Sequence, residues 1–202
     1  MKKLIYLIAL VTCCSFLISA NKKENFNPKK IGLQHVGNTN LWVDANEVSV
    51  LDYEEMMYSV NNGNYTPVLT KDELFVDTKG IEKNLCSELK DKSKIPLLGI
   101  SRAQAEEYCR FRSWAISRVF GKNLPKQTFR LITEEEAKSV KSPDNNSGNC
   151  IGAINQKPKS IIDFTSNADE WLAGGKAIVN GKIVNDNEVN ISRTGFRCCL
   201  EY

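Results

Sequence analysis

Thiols are the groups in this sequence with the most chemistry to offer, as nucleophiles, metal ligands or bridge partners. The chain has seven cysteines, and two of them stand in distinctive surroundings. Cys109 closes the segment I-P-L-L-G-I-S-R-A-Q-A-E-E-Y-C, residues 95–109. Cys198 lies in T-G-F-R-C-C, residues 194–199, close to the C-terminal residue. No C-x-x-C spacing occurs and His35 is the only histidine, so a zinc site of cysteine and histidine ligands is poorly supported. Asn167, Asp169 and Glu170 offer oxygen ligands beside Trp171. Calcium takes six to eight oxygens, so three side chains are not a coordination list, and turn and cap hydrogen bonds are the plainer use.

The cysteines must be placed by elements. Residues 95–100 read as a short buried strand, followed by a helix that starts at Ser101. Its hydroxyl can accept from an orphan N–H, and Gln104 completes a capping box. Ala105, Cys109, Arg112, Ile116 and Phe120 recur at helical steps, and Gly121 ends the run. Cys109 therefore belongs to an inward face, and Cys198 to a short terminal strand that could reach it. Either the pair is bridged or it remains as buried free thiols. A bridge closing so long a loop would stabilise by about 4–5 kcal/mol on the chain-entropy account. Cys199, one step along the strand, points to the opposite face; Cys150 and Cys199 are candidates for a second bridge, with Cys86 the other available partner.

Whether thiols become bridges depends on export. Met1, Lys2 and Lys3 precede an apolar run over residues 4–18, and Ser19 and Ala20 precede a polar stretch. That is the pattern of a secretory signal peptide over residues 1–20, too short for a membrane span. L-V-T-C at residues 10–13 offers a competing route, lipidation of Cys13, although the apolar run continues past it. Export places the chain in the periplasm, at the outer membrane surface or outside the cell, where disulfides persist. Membrane attachment would then come only through a lipid at Cys13. The formal net charge of +3 includes the leader lysines, and lysines are interspersed with acids elsewhere. That argues against a nucleic-acid partner.

About 180 residues remain after the leader, enough for one core. Residues 21–30 are polar and read as a flexible lead-in; residues 31–202 form the domain. A hairpin is expected from residues 31–36 and 41–43, turning at Gly37 and Asn38. Ser49 caps a helix over residues 50–60 with Leu51, Met56 and Val60 on its apolar side. Residues 65–94 read as a long loop with a short helix near Cys86. Residues 129–131 are a short strand, and Thr133 with Glu136 repeats the capping-box pattern. Residues 151–154 and 161–164 are short strands, and Asn180-Gly181 turns a hairpin between 176–179 and 182–184. The fold class is α+β, with two main helices, short antiparallel strands and much irregular structure.

In order, several of these segments resemble the formylglycine-generating enzyme, or sulfatase-modifying-factor, family, whose fold is a variant of the C-type lectin fold. Asn46-Glu47-Val48-Ser49 with Tyr53 is similar to the family's E-V-T-N-x-x-Y. Residues 96–109 are similar to P-V-x-x-V-S-W-x-x-A-x-x-Y-C, residues 130–136 to R-L-P-T-E-A-E-W, residues 167–171 to N-V-W-E-W, and residues 195–198 match G-F-R-C. The resemblance implies that Cys198 is the structural cysteine of the closing motif. It also places a reactive, copper-binding cysteine pair between residues 172 and 194, where this chain has no cysteine. No catalytic residue is therefore assigned. The reading that follows is a catalytically empty binding or scaffold module of the bacterial cell envelope, with an envelope protein as partner. A copper-dependent thiol oxidase using Cys198 or Cys199 is the alternative, and a glycan-binding lectin-like module the third. No cofactor is required, calcium at Asn167, Asp169 and Glu170 being the one candidate. The short interval 172–194 is expected to be a surface hairpin that leaves the family's groove shallow, with Cys199 away from it. Arg130 and Arg197 are expected to pair with Glu170 or Glu47.

Overall fold

A computed structural model describes residues 26–78, 81, 85, 89–121, 128–140, 151, 153–154 and 168–201. Within these the chain is α+β, with few helices and two small sheets. Cys13, Cys86, Cys150 and Asn167, the leader and the expected strand at 161–164 lie outside the described residues.

The helices begin where capping chemistry allows. Ser49 accepts from the Asp52 N–H at 3.1 Å while the Asp52 carboxylate takes the Ser49 N–H at 2.9 Å, opening α1 (Val50–Asn61). Ser101 and Gln104 do the same at 3.3 and 2.8 Å for α2 (Arg102–Phe120), and Thr133 with Glu136 opens the short α3 (Glu134–Ser139). Each box satisfies orphan N–H groups that would otherwise be lost at a buried helix start. At the far end of α2, Gly121 takes φ +63°, where a side chain would be strained.

Strands β1 (Leu33–His35) and β2 (Leu41–Asp44) form the expected hairpin. The terminal strand β8 (Cys198–Glu201) lies between β2 and β3 (Arg130–Leu131), so the first sheet runs β1-β2-β8-β3 and is antiparallel throughout. The second sheet runs β6-β5-β4-β7, from β4 (Asp169–Leu172), β5 (Lys176–Val179), β6 (Lys182–Asn185) and β7 (Thr194–Gly195). Its β4–β7 pair is parallel. Asn180 and Gly181 turn the β5–β6 hairpin with φ +49° and +73°, the two positive values of a type I′ turn. Across the turn Ile178 faces Ile183, Val179 faces Lys182 and Ala177 faces Val184, the register that a two-residue loop fixes. The hairpin is less superficial than expected, because Ala177 and Ile178 are buried.

Residues 95–98 and Ile100 are buried as expected, Gly99 is exposed, and the segment is not a strand. Pro96 has no N–H to give a ladder, and the backbone meets its neighbour at an isolated bridge, with Leu97 N–H to Val48 O at 2.8 Å and Val50 N–H to Ile95 O at 2.9 Å. Its residues Leu97, Leu98 and Ile100 fill the main core beneath α1 and α2, with Met56, Phe196 and Cys198. A second core of Val43, Ile132, Leu172, Ile178 and Cys199 lies on the other side of β8. The described part of the 65–94 loop is pinned to α2 by Glu107, whose buried carboxylate accepts from Tyr65 Oη at 2.6 Å and Val68 N–H at 3.1 Å. No helix among the described residues is long and apolar enough to cross a membrane.

Candidate functional site

Strand β8 and helix α2 bring Cys198 and Cys109 together, as the helical spacing of Cys109 implied. Their sulfurs are 2.8 Å apart and buried. That is far inside ordinary contact and outside a covalent S–S bond of about 2.0 Å. The structure thus holds a pair of thiols, and no disulfide joins described residues. Burial pushes the Cys109 thiol well above its ordinary range, and the neighbouring Cys198 sulfur adds to the effect. Cys199 faces away from this pair into the second core, as strand alternation requires. Arg130 Nη1 lies 3.2 Å from its sulfur. Burial nonetheless raises the Cys199 pKa, with Arg130 opposing, so its thiol stays protonated at neutral pH.

Two buried charge clusters sit beside the cysteines. Arg197 is wholly buried, its Nε donating to Glu170 at 2.9 and 3.1 Å and its Nη1 to Ala45 O at 2.9 Å, with Glu47 3.6 Å away. This is the pairing expected of Arg197. Arg130 departs from expectation: it binds Glu136 at 2.6 and 2.7 Å instead. The capping box places Glu136 in the first turn of α3, only six residues from Arg130, so the local partner wins over Glu170 and Glu47. Burial pushes Glu170 up to about 8 against the pull of Arg197. In the second cluster, Arg112 donates to Asp44 at 2.6 Å and to Ile31 O at 3.1 Å, with its guanidinium 4.5 Å above the Phe129 ring. Asp44 also accepts the Cys198 N–H at 2.9 Å. Burial raises the Asp44 pKa while Arg112 lowers it, leaving a net rise.

Of the oxygen groups considered for calcium, Asp169 and Glu170 are described, and both are engaged otherwise. Both Glu170 oxygens contact Arg197, and Asp169 Oδ1 accepts the Asn180 N–H at 3.2 Å, steadying the β5–β6 turn. Among the described residues no group of His, Cys, Asp or Glu is arranged to hold a metal ion. Trp171 is a core aromatic whose Nε1 donates to Ile100 O at 2.6 Å.

A polar cleft of about 390 Å³ opens where the 44–49 segment meets α1 and α2. Asp44, Glu47, Ser49, Asp52, Tyr108 and Arg112 give it its polar lining, and Cys199 does not contribute. Tyr108 is 7% exposed, packed against Phe196 at 5.5 Å and stacked near Tyr53 at 6.2 Å. No described group hydrogen-bonds its hydroxyl, and the oxygen is not sealed from the cleft. Sequence reading did not reach this cleft. Ser49 was legible as a cap and Arg112 as part of an inward helical face, but nothing in the sequence joined Asp44, Asp52 and Tyr108. Only the S-x-x-D spacing of Ser49 and Asp52 carried a local signal. No protein-family model matches the chain, and no curated protein and no solved structure matches it.

Proposed function

We propose that this chain is an exported, non-catalytic binding or scaffold protein of the bacterial cell envelope, built on a sulfatase-modifying-factor-like domain that has lost its reactive thiols. One observation supports this above the others. The interval in which the resemblance calls for a reactive cysteine pair is occupied by a hydrogen-bonded hairpin without a thiol, while Cys198 and Cys199 stand in the two cores on either side of β8. Nucleophilic or copper chemistry needs an accessible thiolate, and burial holds Cys199 protonated. The buried charges are likewise engaged in structural pairs, Arg197 with Glu170 and Arg112 with Asp44. On this reading Cys109 and Cys198, already in contact as thiols, are oxidised to a disulfide on export by exchange with an oxidised dithiol carrier of the envelope, which takes up the two electrons and two protons as its own disulfide is reduced.

Fractionation of the epitope-tagged chain, followed by capture from native envelope extract with the denatured chain as control, tests the proposal. The expected result is recovery in the envelope or medium without residues 1–20, together with saturable capture of an envelope protein by the folded chain alone. Recovery from the cytosol with the leader intact would overturn it.

A further inference from the structure

We propose that the cleft between the 44–49 segment, α1 and α2 binds an organic ammonium group, held by the Asp52 carboxylate and the Tyr108 hydroxyl. This deepens the binding role above and rests on it.

Pairing within the cleft decides which groups remain for a ligand. Asp44 is taken by Arg112 and Glu47 faces Arg197. Asp52 is different. One of its oxygens receives the Ser49 N–H and hydroxyl, at 2.9 and 2.6 Å, but no described cation pairs with it. Tyr108 is more than nine-tenths buried and lines the cleft, while its hydroxyl oxygen keeps solvent contact and has no described hydrogen-bond partner. A phenolic hydroxyl can both donate and accept, so it can turn toward a group that enters the cleft.

The sign of that group follows from the lining. Among the described residues Arg112 offsets Asp44 and Arg197 offsets Glu47, which leaves Asp52 as the lining charge without a described counterion, so the local field favours a cation over an anion. A bare ammonium can donate to Asp52, to the Tyr108 oxygen and to a third acceptor at once. Ile31, Val48 and Ile154 border the cleft and suit the alkyl arm that carries it. A volume of about 390 Å³ lies within the usual range for small-ligand sites and accommodates a lysine side chain or a small free amine.

Nuclear magnetic resonance titration of the exported, isotopically labelled chain tests this with n-butylammonium for a free amine, Nα-acetyl-lysine methylamide, whose ε-ammonium is free, for a partner's side chain, and n-butanol as the uncharged control. Saturable shifts confined to amides around Asp52 and Tyr108 are expected with the cations and not with butanol. Tighter binding of the lysine derivative would assign the site to a protein partner, and tighter binding of butylammonium to a free amine. Asp52→Asn should weaken binding at least about tenfold, the worth of one charge-assisted hydrogen bond. Tyr108→Phe keeps the ring packing and should weaken it severalfold, with the spectrum of the folded chain retained. Linear, unsaturable shifts with both cations, equal response to butanol, or full affinity in Asp52→Asn would overturn the assignment. Such a failure leaves export and envelope capture to be judged by their own experiment.

Discussion

Removing the Arg197 guanidinium should be among the most damaging single changes available in the described core. The side chain has no exposure, and it is the direct cationic partner of Glu170 at 2.9 Å and of the Ala45 carbonyl. Arg197→Met keeps much of the volume and removes the charge. Glu170 is then buried without its cation, a situation that costs about 3–5 kcal/mol when one member of a buried pair is deleted. For a domain of this size each kcal/mol moves the melting temperature by about 2–4 °C, so a drop on the order of 10 °C is expected. Adding Glu170→Gln removes the carboxyl left without its partner and should recover part of the loss, with a coupling energy of about 2 kcal/mol in a double-mutant cycle. The cost of Arg197→Met should also be larger at pH 9 than at pH 7, because Glu170, pushed up to about 8, ionises in the wild type only above that range and then has the Arg197 cation that the variant lacks. Chemical denaturation of the wild type, both single variants and the double variant at the two pH values supplies every term. A loss below about 1 kcal/mol for Arg197→Met, or a coupling energy near zero, would refute the assignment of this pair as the electrostatic centre of the core.

Glu170 gives a separate pH signature. Its folded pKa, about 8, lies above the ordinary 4.5, so its contribution to stability is full below about pH 4.5 and is lost as pH rises through 8. Glu170→Gln is neutral throughout, so the stability of the wild type relative to this variant should fall between pH 5 and 8 in denaturant titrations; a constant difference would show a carboxylate ionised across the range. At Gly195 an added Cβ would stand 2.8 Å from the Leu97 carbonyl oxygen. Gly195→Ala should therefore lower stability by about 1–3 kcal/mol through backbone displacement, and an unchanged thermal melt would contradict that contact. Non-reducing peptide mapping of the exported chain should recover Cys109 and Cys198 as one linked pair, and Cys198→Ser should then cost about 2–5 kcal/mol. Both thiols found free in exported protein would sink the bridge.

What could be read from the sequence was what neighbouring residues decide among themselves. Ser49, Ser101 and Thr133 each announce a helix because a cap and its reciprocal acceptor lie within four residues. Asn180-Gly181 announces a turn because its backbone needs positive φ. Alternation alone separated Cys198 from Cys199, and helical spacing placed Cys109 inward. The misses share another cause. Residues 95–100 are apolar enough for a buried strand, but Pro96 denies them a ladder. Arg130 finds Glu136 through the start of α3, a nearer solution than the distant acids. The cleft joins the end of β2, the start of α1 and the middle of α2, and no periodicity reports which side chains from such separate segments share a cavity. Tyr108 in particular reads as one more core aromatic until its hydroxyl is found without a partner.

Copper-dependent oxygen uptake is the most direct test of the central claim, that the thiols serve the core and not catalysis. The exported chain would be loaded with Cu(I) and supplied with a thiol-containing peptide. A protein whose Cys198 and Cys199 lie buried on opposite faces of β8 should bind no stoichiometric copper and consume no oxygen above the rate of a Cys198→Ser, Cys199→Ser double variant. Stoichiometric Cu(I) binding with oxygen uptake abolished in that variant would contradict the account and establish the chain as an oxidase.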